Sequence, residues 1–418
     1  MTSPSALIAA AEAELAPVWA TLAATTHHNT AKVLDAFQAA RIGDHHFAGT
    51  TGYGHDDLGR AALEAVFADV FRCEAALVRG QFASGTHAIA TALFGVLRPG
   101  DELLAVTGHP YDTLEEVIGL RGEGQGSLAD WGVTYREVPL APDGRPDLAA
   151  IRAAIGPATR VCAIQRSRGY AWRPSLGLAE MAELIAAIKA VKPEVVVFVD
   201  NCYGEFTETR EPTEVGADLI AGSLIKNPGA GIVPSGGYVA GRADLVHACA
   251  CRFTAPGIGA AGGASLDQNR LLFQGLFMAP HTVGEALRGA TLAACVFAGL
   301  GYDVSPAWDA SRTDIIQAVR LGAPERLVAF CRAIQAASPI NAYVTPIPDV
   351  VPGYEDDVVM AGGTFIEGST IELSADGPLR PPYVGYWQGG LSYSHCRLAL
   401  ARVLDALGAG LVADGASA

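Results

Sequence analysis

Charge is scarce in this chain: Asp, Glu, Lys and Arg make up 17% of its 418 residues, against 50% hydrophobic. That balance excludes a largely disordered polypeptide and fits a compact body with much interior. Positive charge is scarcer than negative, and the formal net charge of −15 repels phosphate backbones, so nucleic acid is not an expected partner. An anionic small molecule stays open, because one site can be positive on an acidic protein. Lysine is rare, and beyond Lys192 only Lys226 remains. The eight cysteines form no C-x-x-C and no short disulfide framework, which in a chain this long points to a reducing cytoplasm. Cys249 and Cys251 form a lone C-x-C, and Cys162 and Cys202 lie within or beside apolar strands, so all read as filler. The start, Met1 to Ala20, lacks a basic segment and an uninterrupted apolar run and carries Glu12 and Glu14; neither a signal peptide nor a membrane span is expected.

Repeats and low-complexity linkers are missing too. A chain of this length exceeds one ordinary core, so a large domain with a smaller partner is expected: an arm over 1–50, a large domain over 51–290 and a small one over 291–418. The opening helix runs to about Ala40, and Leu58 to Phe71 shows helical spacing. Strands and helices then alternate. Strands are expected at Glu102 to Val106, Val133 to Leu140, Arg160 to Gln165, Val195 to Val199, Asp218 to Leu224 and Tyr238 to Ala240, with helices at Asp147 to Ile155 and Leu178 to Val191. The unbroken run Val195 to Val199 suits a strand covered on both faces. Such alternation predicts an α/β fold around a mostly parallel central sheet. Near Ala290 the pattern changes. Helices at Thr291 to Gly299, Pro324 to Ala337 and Cys396 to Leu407, with antiparallel strands within Val358 to Ser374, describe a smaller α+β C-terminal domain.

Four features bear on chemistry. Ser84-Gly85-Thr86 opens an apolar helical run, with Ser84 as N-cap and Gly85 allowing close backbone approach; free N–H groups at such an end bind phosphate. Asp200 ends the Val195 to Val199 strand, where open α/β sheets bind ligands and where a carboxylate could keep a pyridine nitrogen protonated. Lys226 follows an apolar strand and precedes a Gly/Pro-rich loop, a place where desolvation would lower its pKa and make it a competent amine; Ser223 could reach the same phosphate. Tyr111 follows the Glu102 strand and could stack on a ring or pass protons. Singly, each also reads as structure: a capped helix, a turn aspartate, a solvated lysine, a core tyrosine. Jointly, and in this order, they describe a fold-type-I pyridoxal 5′-phosphate site. The pairs His27-His28 and His45-His46 lack the spacing and companions of metal ligands, and no metal is expected. Gly257-Ile258-Gly259-Ala260-Ala261-Gly262 satisfies the dinucleotide G-x-G-x-x-G, yet no convincing strand leads into it and Pro256 intervenes.

The segments around Ala48 to Arg60, Ser84 to Ile89, Gln165 to Leu176, Val199 to Phe206, Gly222 to Gly241, Ala255 to Gly259 and Gln388 to His395 resemble the methionine γ-lyase family that includes the aluminium-resistance proteins, a distant branch of the cystathionine β-lyase and γ-synthase enzymes. The resemblance spans nearly the whole chain. It implies a fold-type-I, transferase-like homotetramer of dimers that share active-site residues. It also implies pyridoxal phosphate on Lys226, with Ser84, Gly85, Thr86 and Ser223 around the phosphate, Tyr111 on the ring and Asp200 at its nitrogen. Tyr53 matches the tyrosine of a Tyr-x-Arg that grips the phosphate from a neighbouring subunit, whereas His55 stands where the arginine would be. The substrate carboxylate is expected to meet Arg380, or else Arg168.

The expected activity is β- or γ-elimination from a small L-amino acid, sulfur-containing or otherwise γ-substituted. Lys226 would move the α-proton and Tyr111 would be a candidate acid. A specialised γ-substitution, a fold-type-I aminotransferase and a non-catalytic cofactor-binding module are the competing readings. Ammonia release from a single substrate separates a lyase from an aminotransferase.

Overall fold

A computed structural model describes residues 3–122, 125–351 and 354–408. The first sheet is seven-stranded: β1 (Ala75–Arg79), β2 (Glu102–Ala105), β3 (Thr134–Glu137), β4 (Thr159–Gln165), β5 (Val196–Asp200), β6 (Leu219–Ser223) and β7 (Gly237–Gly241). Their spatial order is β1-β7-β6-β5-β4-β2-β3. The five strands from β6 to β3 are parallel, and β7 runs antiparallel to both β6 and β1. Val161, Val196, Phe198 and Leu219 point to one face, while Cys162, Val197, Val199 and Ile220 point to the other, so the central strands are apolar on both sides.

Helices cover both faces: α1 (Pro4–Ala39), α2 (Leu58–Val70), α3 (Gly85–Val96), α4 (Asp112–Ile118), α5 (Leu148–Ala154), α6 (Leu178–Val191), α7 (Ala243–Phe253) and α8 (Asn269–Gly299). Residues of α3 and α7 fill the core on one face, and those of α2, α6 and α8 fill the other. Side-chain caps set several starts: Asp57 accepts from Arg60 N, Ser84 from His87 N, and Asp147 from Ala149 N and Ala150 N.

The second sheet is five-stranded and antiparallel, in the order β10-β11-β12-β9-β8. Its strands are β8 (Val304–Ser305), β9 (Ile316–Arg320), β10 (Val358–Ala361), β11 (Ser374–Pro378) and β12 (Val384–Gln388), backed by α9 (Pro324–Ala337) and α10 (Tyr393–Ala406). Helix α8 does not begin at Thr291, as the periodicity suggests. It runs for 31 residues from Asn269, so position 290 lies inside a continuous helix that touches both cores. Helix α1 is long and apolar enough by composition to cross a membrane. Its Leu22 and Val33 instead pack into the first core, and its Ile8 and Leu15 into the second. Trp19 Nε1 donates to Thr291 Oγ1 at 3.0 Å.

Candidate active site

At the carboxyl ends of β4, β5 and β6 the sheet opens into a cavity of about 250 Å³, the position where parallel sheets receive ligands. Seven of the expected residues line it together: Ser84, Gly85, Thr86, Tyr111, Asp200, Ser223 and Lys226. Arg166 to Arg168 and Tyr170 lie in the loop leaving β4, and Ser167, Gly169 and Tyr170 also face the cavity.

The first turn of α3 meets the end of β6 closely. A methyl on Gly85 would stand 3.1 Å from Ser223 Cβ and 3.5 Å from Cys202 Sγ, so glycine keeps this corner open. Ser84 spends its hydroxyl on the helix cap, accepting from His87 N at 3.0 Å. Thr86 Oγ1 pairs with Thr113 Oγ1 at 3.0 Å. The N–H groups of Gly85 and Thr86 have no partner within the helix, as at any helix start.

Asp200 ends β5 and is the one residue of that strand not fully buried, open to the cavity. It serves the turn and the cavity at once: its Oδ1 accepts from Cys202 N at 3.1 Å, and its side chain faces Lys226. Burial raises its pKa, opposed by the Lys226 ammonium. Lys226 differs from expectation. Burial does push its pKa down, but the Asp200 carboxylate beside it favours the charged form, and the net direction is upward. Its Nζ lies 4.0 Å from the centre of the Tyr203 ring.

Tyr111 is the residue before α4 and is partly buried, and its hydroxyl pKa is raised by desolvation and by neighbouring tyrosines. Gly169, at φ +56°, packs against its ring; a methyl there would come within 3.0 Å of Tyr111 Cδ2.

The second sheet supplies a wall that sequence reasoning missed. Asp376 of β11 and Thr370 line the same cavity, as does Tyr354. Asp376 Oδ2 accepts from Gln388 Nε2 at 2.7 Å, while its Oδ1 is buried without a hydrogen-bond partner. Burial pushes this carboxyl up to about 7. The Tyr170 ring lies between Tyr354 and Tyr386, tilted by 45° to each, with centroids 5.4 and 5.2 Å away.

Three expected residues stand outside the lining. Tyr53 is 83% exposed and lies against His55, ring centres 5.7 Å apart. Arg380 is half-exposed and paired with Asp356 at 2.7 Å. Arg168 is the opposite case: it is 1% exposed, and none of its three guanidinium nitrogens has a hydrogen-bond partner. The G-x-G-x-x-G segment forms a loop and a short 3-10 turn between α7 and α8, with no strand before it, which removes the dinucleotide reading.

Residues 4–408 match the family model described as methionine gamma-lyase. A solved Listeria monocytogenes structure, of a protein described as involved in aluminium resistance, is 53% identical and superposes with a TM-score of 0.95, covering 96% of this chain and all of that one. A carbon-sulfur lyase involved in aluminium resistance from Clostridium novyi NT is 44% identical, with a TM-score of 0.92 over 95% of this chain and 94% of that one. A pyridoxal-5′-phosphate-dependent protein from Escherichia coli, 19% identical, shares the fold at a TM-score of 0.59 over 93% of this chain and 97% of that one.

Proposed function

The chain belongs to the methionine gamma-lyase family, and from that premise we propose that it eliminates a β- or γ-substituent, foremost a sulfur group, from a small L-amino acid. Family and relatives make it a pyridoxal phosphate-dependent carbon–sulfur lyase. The observation that carries the finer reading is the meeting of Lys226, Asp200, Tyr111 and the start of α3 in one cavity.

The residues present fit the cofactor. The corner that a Cβ at Gly85 would fill suits a phosphate, between the helix N–H groups and Ser223. Asp200 would pair with the ring nitrogen, Tyr111 would lie along the ring, and Lys226 would hold the group covalently. When bound, pyridoxal phosphate supplies the electron sink for the pair left at the substrate α-carbon.

The chain does the rest. Lys226, its amine free once substrate is bound, would be the group placed to move the α-proton. Asp200, at the end of β5, lines the cavity, and a protonated ring nitrogen beside it would favour its ionised form. Tyr111 is protonated at neutral pH, as any phenol is, and its place in the cavity makes it the candidate donor to a departing group. For the substrate carboxylate we favour Arg168 over Arg380: its guanidinium is buried and unpaired, whereas Arg380 already has Asp356. The exposed ring of Tyr53 fits a role in a neighbouring copy's site, in a homotetramer that works on small molecules in the cytoplasm.

The test is direct. Purified protein with added pyridoxal 5′-phosphate should gain a visible absorbance band, and borohydride should fix the cofactor's mass on the peptide holding Lys226. Lys226→Ala should lose both. Homocysteine, cystathionine, methionine, cysteine conjugates and γ-halo amino acids are then scored for ammonia and 2-oxo acid. Turnover that requires an added 2-oxo acid would make the protein an aminotransferase instead.

A further inference from the structure

Asp376 is a carboxylate without an adequate partner. It stands on the central strands of the second sheet, opposite Met360 on one side and Tyr386 on the other, and is 8% exposed. Gln388 serves one oxygen, and the other has no hydrogen bond. The Tyr170 side chain also favours its ionised form as a hydrogen-bond donor, and among the described residues Lys226 is the cation that acts on it. On the reading above, Lys226 is committed to the cofactor. Arg168 and Arg380 influence Tyr386 rather than Asp376. A buried carboxyl with no cation paired to it is driven toward its neutral form, and a positive charge arriving beside it restores the ionised one.

The space beside it is aromatic. Tyr111, Tyr170 and Tyr354 line the cavity with ring centres 5.4 to 6.4 Å apart. Tyr203, on the same wall as Lys226, already carries an ammonium over its ring. Ring faces attract cations, most strongly where water is excluded. A neutral thioether or a halide would do nothing to favour the ionised form of Asp376, and an anionic side chain would disfavour it. A side chain carrying a positive centre meets both the carboxylate and the rings.

We propose that Asp376, with Tyr170 and Tyr354, selects substrates whose side chain bears a positive charge, an onium sulfur or a protonated amine. This rests on the assignment of the cavity as the pyridoxal phosphate site. It names a specificity-determining residue contributed by the second sheet, and the chemical class that residue admits.

Three probes are titrated into the cofactor-loaded enzyme: S-methyl-L-methionine (a sulfonium), L-ornithine (an ammonium) and L-methionine (neutral). Binding is read from the change in the cofactor's absorbance band, and turnover separately from ammonia. At least one cationic probe should bind about tenfold or more tightly than methionine, consistent with one desolvated cation contact. In Asp376→Asn, which keeps a carbonyl oxygen for Gln388, the preference should shrink below threefold. The sulfonium alone succeeding assigns an onium site; the amine alone succeeding assigns an ammonium site; both succeeding assigns a general cation site. Equal binding of all three probes by the wild type overturns the proposal, as does a preference that survives in Asp376→Asn. If that variant is unstable, the wild-type comparison decides alone. Failure of the band to appear on adding cofactor brings down the underlying assignment and the proposal with it, whereas a normal band with no charge preference refutes the proposal only.

Discussion

The Tyr111 hydroxyl lies 2.5 Å from the Tyr354 hydroxyl, across 243 residues of chain. That contact ties the loop after β2 to the segment entering β10, so the first sheet's ligand edge and the second sheet close on one cavity. Gly169 sits against the other side of the Tyr111 ring. Gly169→Ala combines a positive φ with a methyl in contact with that ring. We expect kcat/KM to fall by about tenfold through misplacement of Tyr111. Unchanged kinetics in a folded variant would separate the ring from the reaction.

Asp200 provides a charge, while its turn hydrogen bond from Cys202 N needs only an oxygen. Asp200→Asn should therefore keep the fold and the melting temperature but lower kcat by about 10²–10³, the usual scale for losing one preorganised electrostatic partner. Steady-state rates beside a thermal melt check both halves.

The two candidate arginines separate cleanly. Removing a charged hydrogen-bonding partner of a carboxylate costs about 1.5–3 kcal/mol, so Arg168→Gln should raise KM roughly ten- to hundredfold. Arg380→Ala should change it by less than about threefold. The reverse ranking would return the carboxylate to Arg380.

Glu205 is enclosed, its Oε1 accepting from the Tyr238 hydroxyl at 2.8 Å and its Oε2 unpartnered. Burial pushes its pKa from 4.5 up to about 8. The folded protein then keeps a proton that the unfolded chain releases above about 4.5. The resulting stability is full below that value and is lost as pH rises through about 8. Glu205→Gln should remove this dependence and stabilise the protein at pH 9 relative to wild type, by on the order of a few kcal/mol. Melting temperatures of both proteins from pH 6 to 9 give the answer; parallel curves would contradict it.

Most of the first sheet was legible because its signals are local, although its five-residue edge strand Ala75–Arg79 was not among the expected strands. Val195 to Val199 reads as a doubly covered strand from five residues, and Ser84 caps a helix three residues on. Leu178–Val191 and Pro324–Ala337 fall where periodicity puts them. The second sheet was harder. Ser374-Ala375-Asp376-Gly377-Pro378 has the composition of a turn, yet it is a central strand, made so by pairing with Val358–Ala361 and Val384–Gln388 from distant parts of the chain. Asp376 and Tyr354 were therefore invisible as site residues. The Lys226 expectation erred for a related reason: burial is readable from an apolar neighbourhood, but the Asp200 carboxylate that opposes its effect is brought beside the amine only by folding.

Helix α8 carries a further consequence. Its 31 residues form a rod of roughly 46 Å to which both halves of the molecule are fastened. Each residue advances such a rod by about 100°. Inserting a single alanine near its middle would turn everything beyond it by more than a quarter revolution, carrying Asp376 away from Lys226 without altering either residue. The width and aim of the cavity are thus written into helical phase.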